Sequence, residues 1–492
     1  MLPPAIAIFS ALLKNAGHDC LLFDTTYWEV PDESLVDAED FKEKHLHVRP
    51  YSKAPIDVSL KTTDVFSEFT ATVKSFDPQL IAVSATEDMF PFAIRLLGVL
   101  PGQTRPLTIL GGMFATFAPE KAIKYPEIDI VCVGEGEIPL LKLCQAIDDG
   151  SDYSRIQNLW VKKDGGIVKS PVGPPFDIEA VPLMDLDIFE EARYYKPFDG
   201  RSYKTFPVET HRGCPYKCAY CNSPSQLAMY KGNGGGFFRL KSIENVRKEM
   251  LYYKNSYGAE YLYFWADTFL AFTDKYFDEF AEMYKSEIKL PFWCQTRPET
   301  LTEKRVAALK EMGIHRMGLG LEHGNPKFRE EMLQRRVPNK VIIDRLKILN
   351  DFGVKYSVNN IIGFPTETRE LAFDTIRLNR EINADTRNMY TFTPFHGTHL
   401  RDVAEKLGYL DPAVIAQSLT RPTVLDMPQF RTHEIEGLRR CFVPYVMLEE
   451  DRWPEIAQAE KLTPEGDRKW EELMDECRAR FFTQFEPERD ET

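Results

Sequence analysis

Cys214, Cys218 and Cys221 stand in one short run, His211-Arg-Gly-Cys214-Pro-Tyr-Lys-Cys218-Ala-Tyr-Cys221-Asn222, with the spacing C-x3-C-x2-C. No other feature restricts the fold as much, because three thiols so close on one short loop can be gathered around a common object. A [4Fe-4S] cluster takes four cysteine ligands. Three leave one iron free for an exchangeable ligand, and chemistry can occur there. A zinc knuckle lacking one ligand and three incidental buried thiols are the competing readings.

The remaining composition limits the partners. A chain of 492 residues is long enough for two or three domains. With 43% hydrophobic and 28% charged residues the composition is globular. A net charge of -14 argues against a sequence-independent grip on nucleic acid, which needs clustered Lys and Arg. A small molecule or a peptide is the expected substrate. The longest apolar stretches, 79–86 and 107–112, fall far short of the roughly 20 residues of a membrane span. Nine cysteines, three of them clustered, fit a reducing compartment, and a cytoplasmic location is expected.

Along residues 1–150 apolar runs alternate with amphipathic ones, which predicts an α/β domain with a parallel sheet. Helices are expected at Ala5–Ala16 and Ile138–Ile147, and strands at Asp19–Phe23, Leu80–Ser84, Leu107–Leu110 and Ile128–Val133. Small residues follow three of these strands: Ser84-Ala85-Thr86, Gly111-Gly112 and Gly134-Glu-Gly-Glu137. Ligands of doubly wound sheets sit at strand carboxyl ends, where glycine admits close approach. Residues 28–76 read as an insertion near the active face. His45 and His47 within it would share one side of a strand and bind metal there, or stand in solvent.

Residues 151–200 read as a connector, a hairpin closed at Asp164-Gly165-Gly166 and then a run with Pro171, Pro174, Pro175 and Pro182. Over residues 201–400 strand-like and helical runs alternate about six times, which predicts a partial (β/α)6 barrel with its chemistry at the strand carboxyl ends. The strands are expected at Val208–Thr210, Tyr261–Asp267, Phe292–Arg297, Met317–Gly324, Tyr356–Ile362 and Asn388–Thr393. Cys294 is either a substrate-side thiol or a packing residue. Asp267 is either a ligand group or a helix cap. Residues 401–492 predict a helical cap, with helical spacing from Asp411 onward.

The cysteine run, with Gly213 before it and Tyr220 ahead of the last cysteine, resembles the signature of the radical S-adenosylmethionine (SAM) superfamily. The three glycine-bearing strand ends resemble the cobalamin-binding domain that precedes many radical SAM barrels. The resemblance implies a Rossmann-like cobalamin-binding domain, a TIM-type partial barrel and a C-terminal helical extension. It implies that Cys214, Cys218 and Cys221 hold a [4Fe-4S] cluster and that Ser84, Thr86, Gly111, Gly112 and Gly134 line the groove for the cobalamin nucleotide tail. Asp267 takes the position facing the SAM amino group, and Glu322, in Met317-Gly-Leu-Gly-Leu-Glu-His-Gly, that facing the ribose. Gly363, in Gly-Phe-Pro-Thr-Glu-Thr, shapes the adenine turn. His396 replaces the proline of a Tyr-Pro-Gly-Thr turn, as a proton relay or with no role. Two departures stand out: no strand precedes the first helix, and Asp24-Thr-Thr-Tyr-Trp lacks the His and Gly of the Asp-x-His-x-x-Gly motif that supplies a lower axial ligand. The implied activity is C-methylation of an unactivated carbon, fed by an electron donor such as flavodoxin or ferredoxin. Cyclisation, ring rearrangement or oxidation on the same scaffold is the alternative. Methylthiotransfer would need a second cluster from Cys20, Cys132 and Cys144, which are scattered over a strand, a strand and a helix.

Overall fold

The computed structural model describes residues 2–28, 38–48, 60–102, 105–234 and 236–482. The first sheet has five strands in sequence order, β1 Leu80–Ser84, β2 Leu107–Gly111, β3 Ile130–Cys132, β4 Leu159–Lys163 and β5 Gly166–Lys169. β1, β2 and β3 are parallel, with Ser84 opposite Gly111, so their carboxyl ends are level. β2 and β3 bury both faces, as the inner strands of a parallel sheet do, while β1 at the edge stays partly open. Ile109 and Ile130 pack under the helices Pro4–Asn15 and Glu137–Asp148, while Leu110 and Val131 pack against Val65–Phe76 and Phe90–Gly98.

Two expectations change here. The hairpin assigned to the connector belongs to the sheet, because β4 pairs antiparallel with β3. Its turn has positive φ at Asp164 (52°) and Gly165 (76°), the type I′ geometry that suits strand twist. Asp19–Phe23 is not a strand. A groove of 340 Å³ separates Leu21–Thr25 from the outer edge of β1, so the segment has no strand within hydrogen-bonding reach.

The second sheet runs β14-β13-β12-β11-β10-β7-β6. Its strands are β6 Tyr195–Phe198, β7 Arg201–Val208, β10 Tyr261–Phe264, β11 Phe292–Thr296, β12 Ile314–Glu322, β13 Lys355–Ile362 and β14 Thr386–Thr391. Six are parallel, and β6 closes one edge antiparallel to β7. The first barrel strand therefore ends at Val208 instead of beginning there. Past it the chain forms a small separate ribbon of β8 His211–Arg212 and β9 Arg239–Leu240. Phe292, Cys294, Met317, Leu319, Tyr356 and Val358 face the surrounding helices, leaving Trp293, Gln295, Gly318 and Asn359 on the inner face. Cys294 is thus a packing residue with 0% exposure, and burial pushes its thiol well up.

The C-terminal helices Thr432–Arg440, Phe442–Met447, Trp453–Ala459 and Pro464–Phe481 share a core with β13 and β14. The expected helical spacing from Asp411 is not realised before Thr432, where Pro412, Pro422 and Pro428 interrupt the chain. Of the 28–76 insertion, 29–37 and 49–59 lie outside the described residues. Part of the described remainder packs at the far edge of the second sheet. Its helix Ala38–Lys44 sets His47 against the outer edge of β14, where His47 Nε2 accepts the Met389 N–H at 3.3 Å. His45 packs on Trp470. His47 is a wedge in the sheet edge and His45 packs beside it, neither a solvated side chain, and burial pulls His45 down to about 4 and holds His47 well below its ordinary range. Among the described residues no helix is long and apolar enough to cross a membrane.

Candidate active site

The cysteine loop follows β8 directly. Cys214 and Cys218 are each 8% exposed, and each thiol has its own polar neighbour. The Cys214 sulfur lies 3.5 Å from the Thr268 hydroxyl, Cys218 accepts from Arg297 at 3.1 Å, and Cys221 accepts the Ser223 N–H at 3.4 Å. Burial raises the Cys214 thiol and pushes Cys221 up to about 11, so these sulfurs ionise only where a metal or donor compensates. Among the described residues no three His, Cys, Asp or Glu side chains converge on a point as ligands of a single ion do. Cluster thiolates bind separate irons and need not converge on one point.

Beside the loop lies a cavity of 530 Å³ that both sheets share. From the first sheet it takes Ser84, Gly111, Gly112 and Gly134, and from the second Cys221 and Asp267. Thr86, Cys214, Cys218, Glu322 and Gly363 are outside its wall. Thr86 is exposed in the turn after β1, beyond this wall. The glycines are needed where they are. A Cβ on Gly112 (φ 108°) would stand 2.6 Å from the Ala85 carbonyl oxygen, and one on Gly134 (φ 90°) 2.5 Å from the Tyr230 hydroxyl. Asp267 is exposed to the cavity, although packed atoms surround it on its other sides; desolvation raises its carboxyl, with only Ser223 Oγ at 3.4 Å to oppose this. No cap hydrogen bond uses it, since the next helix is capped by Thr273.

Several cavity residues carry no signal in the cysteine spacing or the strand pattern. His211 Nε2 and Trp265 Nε1 are buried in the wall without a protein partner, one acceptor or donor and one donor left for a ligand. Arg212 bonds Glu137 at 2.6 Å, Glu135 at 3.2 Å and Glu209 at 3.1 Å, and Arg239 also binds Glu135. The Gly-Glu-Gly-Glu run thus ties the first sheet to the cluster loop. Desolvation works against Glu135, but Arg239 and Arg212 hold its carboxyl below the usual range. A second tie joins the domains at Glu87, which accepts from His396 Nδ1 at 2.6 Å, His396 N at 2.9 Å and Ala416 N at 2.7 Å, while Lys121 reaches His396 Nε2 at 2.8 Å. With both ring nitrogens engaged, His396 is a clasp between domains and not a free relay.

Glu322 ends β12 at a bulge, with φ 68°, and is buried. Arg335 donates to its Oε1 at 3.1 Å, and Tyr220, the aromatic of the cysteine run, bonds to it as well. Desolvation outweighs these partners and leaves the carboxyl raised. Glu367 Oε2 accepts the Gly363 N–H at 2.6 Å and the Phe364 N–H at 2.9 Å, so Glu367 folds its own turn. His323 Nδ1 accepts from Asn325 N, which leaves Nε2–H to donate to Glu367 Oε1 at 3.1 Å and couples the ends of β12 and β13.

Comparison with known proteins agrees with this geometry. Residues 208–378 match the model of the Radical SAM superfamily, and residues 51–143 that of the B12 binding domain. The chain is an enzyme that carries a Radical SAM domain with a B12 binding domain ahead of it. An uncharacterized methyltransferase, PH0819, of Pyrococcus horikoshii is 27% identical over 78% of this chain and 82% of its own length. The anaerobic magnesium-protoporphyrin IX monomethyl ester cyclase of Rubrivivax gelatinosus is 24% identical over 77% of this chain and 68% of its own. Among solved structures, the radical SAM methyltransferase TsrM of Kitasatospora setae, with cobalamin and a [4Fe-4S] cluster bound, superposes with a TM-score of 0.61 at 15% identity, covering 97% of each chain. The groups such a pair of domains uses are a [4Fe-4S] cluster, SAM and cobalamin. The residues present fit them: three thiols with polar neighbours, strand ends cleared of side chains, and unpartnered buried nitrogens in the cavity wall.

Proposed function

We propose that the protein methylates an unactivated carbon of a small molecule or peptide. The observation that carries this reading is the shared 530 Å³ cavity, in which the glycine-bearing strand ends and the cysteine loop face the same space. Methyl transfer to a carbon radical needs the methyl carrier and the radical source in one enclosure. When bound, the cluster with SAM supplies a 5′-deoxyadenosyl radical that removes hydrogen from the carbon, and cobalamin supplies the methyl group.

In this reading Cys214, Cys218 and Cys221 hold the cluster. Asp267, open to the cavity, takes the SAM amino group, and Glu322, set by Arg335 and Tyr220, its ribose. Gly363 keeps the β13 turn in the shape that Glu367 folds. Gly111, Gly112, Gly134 and Ser84 make room for the cobalamin nucleotide tail, and His211 Nε2 and Trp265 Nε1 bond to whatever fills the cavity. The helices 432–481 wall the barrel and exclude water. Reduction comes from a one-electron carrier protein.

The similarity to the Rubrivivax gelatinosus cyclase favours a second reading, ring formation without methyl transfer. The products of SAM separate the two. Reconstituted enzyme that forms S-adenosylhomocysteine together with 5′-deoxyadenosine supports methyl transfer, and 5′-deoxyadenosine alone supports the cyclising reading.

A further inference from the structure

We infer that Arg297 sets the reduction potential of the cluster through the Cys218 sulfur, an inference that rests on the cluster assignment above. Arg297 follows β11 and points inward, and its Nη1 donates to Cys218 Sγ at 3.1 Å. The guanidinium is held on three sides. Its Nη2 lies 2.5 Å and its Nε 2.6 Å from Glu299 Oε1, and its plane lies over the Tyr216 ring at 3.9 Å. Glu299 is fixed in turn by Arg335 at 3.3 Å, a side chain only 1% exposed. A planar fork so anchored keeps its direction, as a flexible ammonium would not.

Among the described residues the other two sulfurs have neutral hydrogen-bonding neighbours, the hydroxyl of Thr268 and the Tyr216 amide at Cys214 and the amide and hydroxyl of Ser223 at Cys221, and the charge that acts on both is the Asp267 carboxylate, not a cation. One thiolate of three therefore carries a charge-assisted hydrogen bond, and it is buried where charges are weakly screened. One electron from an external carrier adds one negative charge to the cluster. A fixed cation at a ligating sulfur stabilises that reduced form and raises the potential, the effect that hydrogen bonds to sulfur and nearby charge exert on such clusters. Arg297 is in this sense a positioning and tuning residue that acts through Cys218.

The test is an anaerobic redox titration of the reconstituted full-length protein, followed by the electron paramagnetic resonance signal of the reduced cluster, with and without SAM. Arg297→Gln shifts the potential to a more negative value, Arg297→Lys falls between it and the native protein, and Glu299→Gln, which leaves the guanidinium uncompensated, shifts it upward. If Arg297→Gln takes up no iron, Glu299→Gln and Arg297→Lys, which retain the charge, carry the test. Native potentials in the Gln variants overturn the inference. Unchanged potential with weakened SAM binding in Arg297→Gln overturns it in favour of a ligand contact. A native chain that takes up no iron overturns the cluster assignment and this inference together.

Discussion

At the scale of single residues, the cysteine spacing states the site most directly, since C-x3-C-x2-C needs no knowledge of the fold to suggest three cluster ligands. Cys218→Ala is expected to lose the cluster and all SAM cleavage while the first sheet still folds; iron content and far-UV circular dichroism measure both, and a native iron content would contradict the ligand assignment. Gly134 makes a different demand. Alanine there meets the Tyr230 hydroxyl and a φ of 90°, at a cost of about 1–3 kcal/mol. The expected result for Gly134→Ala is a lower melting temperature and weaker cobalamin retention with the iron content unchanged. His211, Trp265, Arg297 and Arg335 could not be found from sequence because their roles depend on which atoms lack or share partners after folding, and no periodicity encodes that. His211 alone had a positional hint, three residues ahead of the first cysteine.

At the scale of elements, strands carried by a compact apolar run were legible nearly to the residue, as at Leu80–Ser84 and Phe292–Thr296. The errors fall where a partner decides. Asp19–Phe23 has strand composition but no neighbour to pair with, and the 159–169 hairpin reads as a connector until β3 is seen beside it. The 38–48 segment is the largest surprise, because its His47 serves the edge of β14 far along the sequence. This has a pH consequence. The folded chain keeps His45 and His47 neutral below their ordinary value near 6.5, because burial lowers both, whereas the unfolded chain takes up protons there. Their contribution is complete above about pH 6.5 and is lost as pH falls below it. His47→Gln, which still offers an acceptor to Met389 N, is expected to flatten the fall of melting temperature between about pH 6.5 and about pH 4. An unchanged slope would show that the wedge does not stay neutral.

At the scale of the whole molecule, two buried ties join the domains, Arg212 to Glu135 and Glu137 on one side of the cavity and Glu87 to His396 on the other. Sequence reading places both domains in order but gives no view of their interface, since the glutamates of Gly-Glu-Gly-Glu look like loop residues until Arg212 meets them. Removing one partner of a buried charge network leaves the others uncompensated, at a cost of about 3–5 kcal/mol. Arg212→Met is therefore expected to split one cooperative thermal transition in calorimetry into two; a single transition at the native temperature would mean that the tie contributes nothing to domain docking.

The central claim is that one enclosure brings a corrin and the cluster loop face to face. It is tested most directly by anaerobic reconstitution of the protein with iron, sulfide and hydroxocobalamin, followed by desalting and quantification of both groups. The account predicts about four iron atoms, as a [4Fe-4S] cluster requires, and about one cobalamin per chain, the cobalamin reduced in the Gly134→Ala variant. A cluster retained without cobalamin would contradict the account, leaving a radical enzyme whose first sheet holds no methyl carrier.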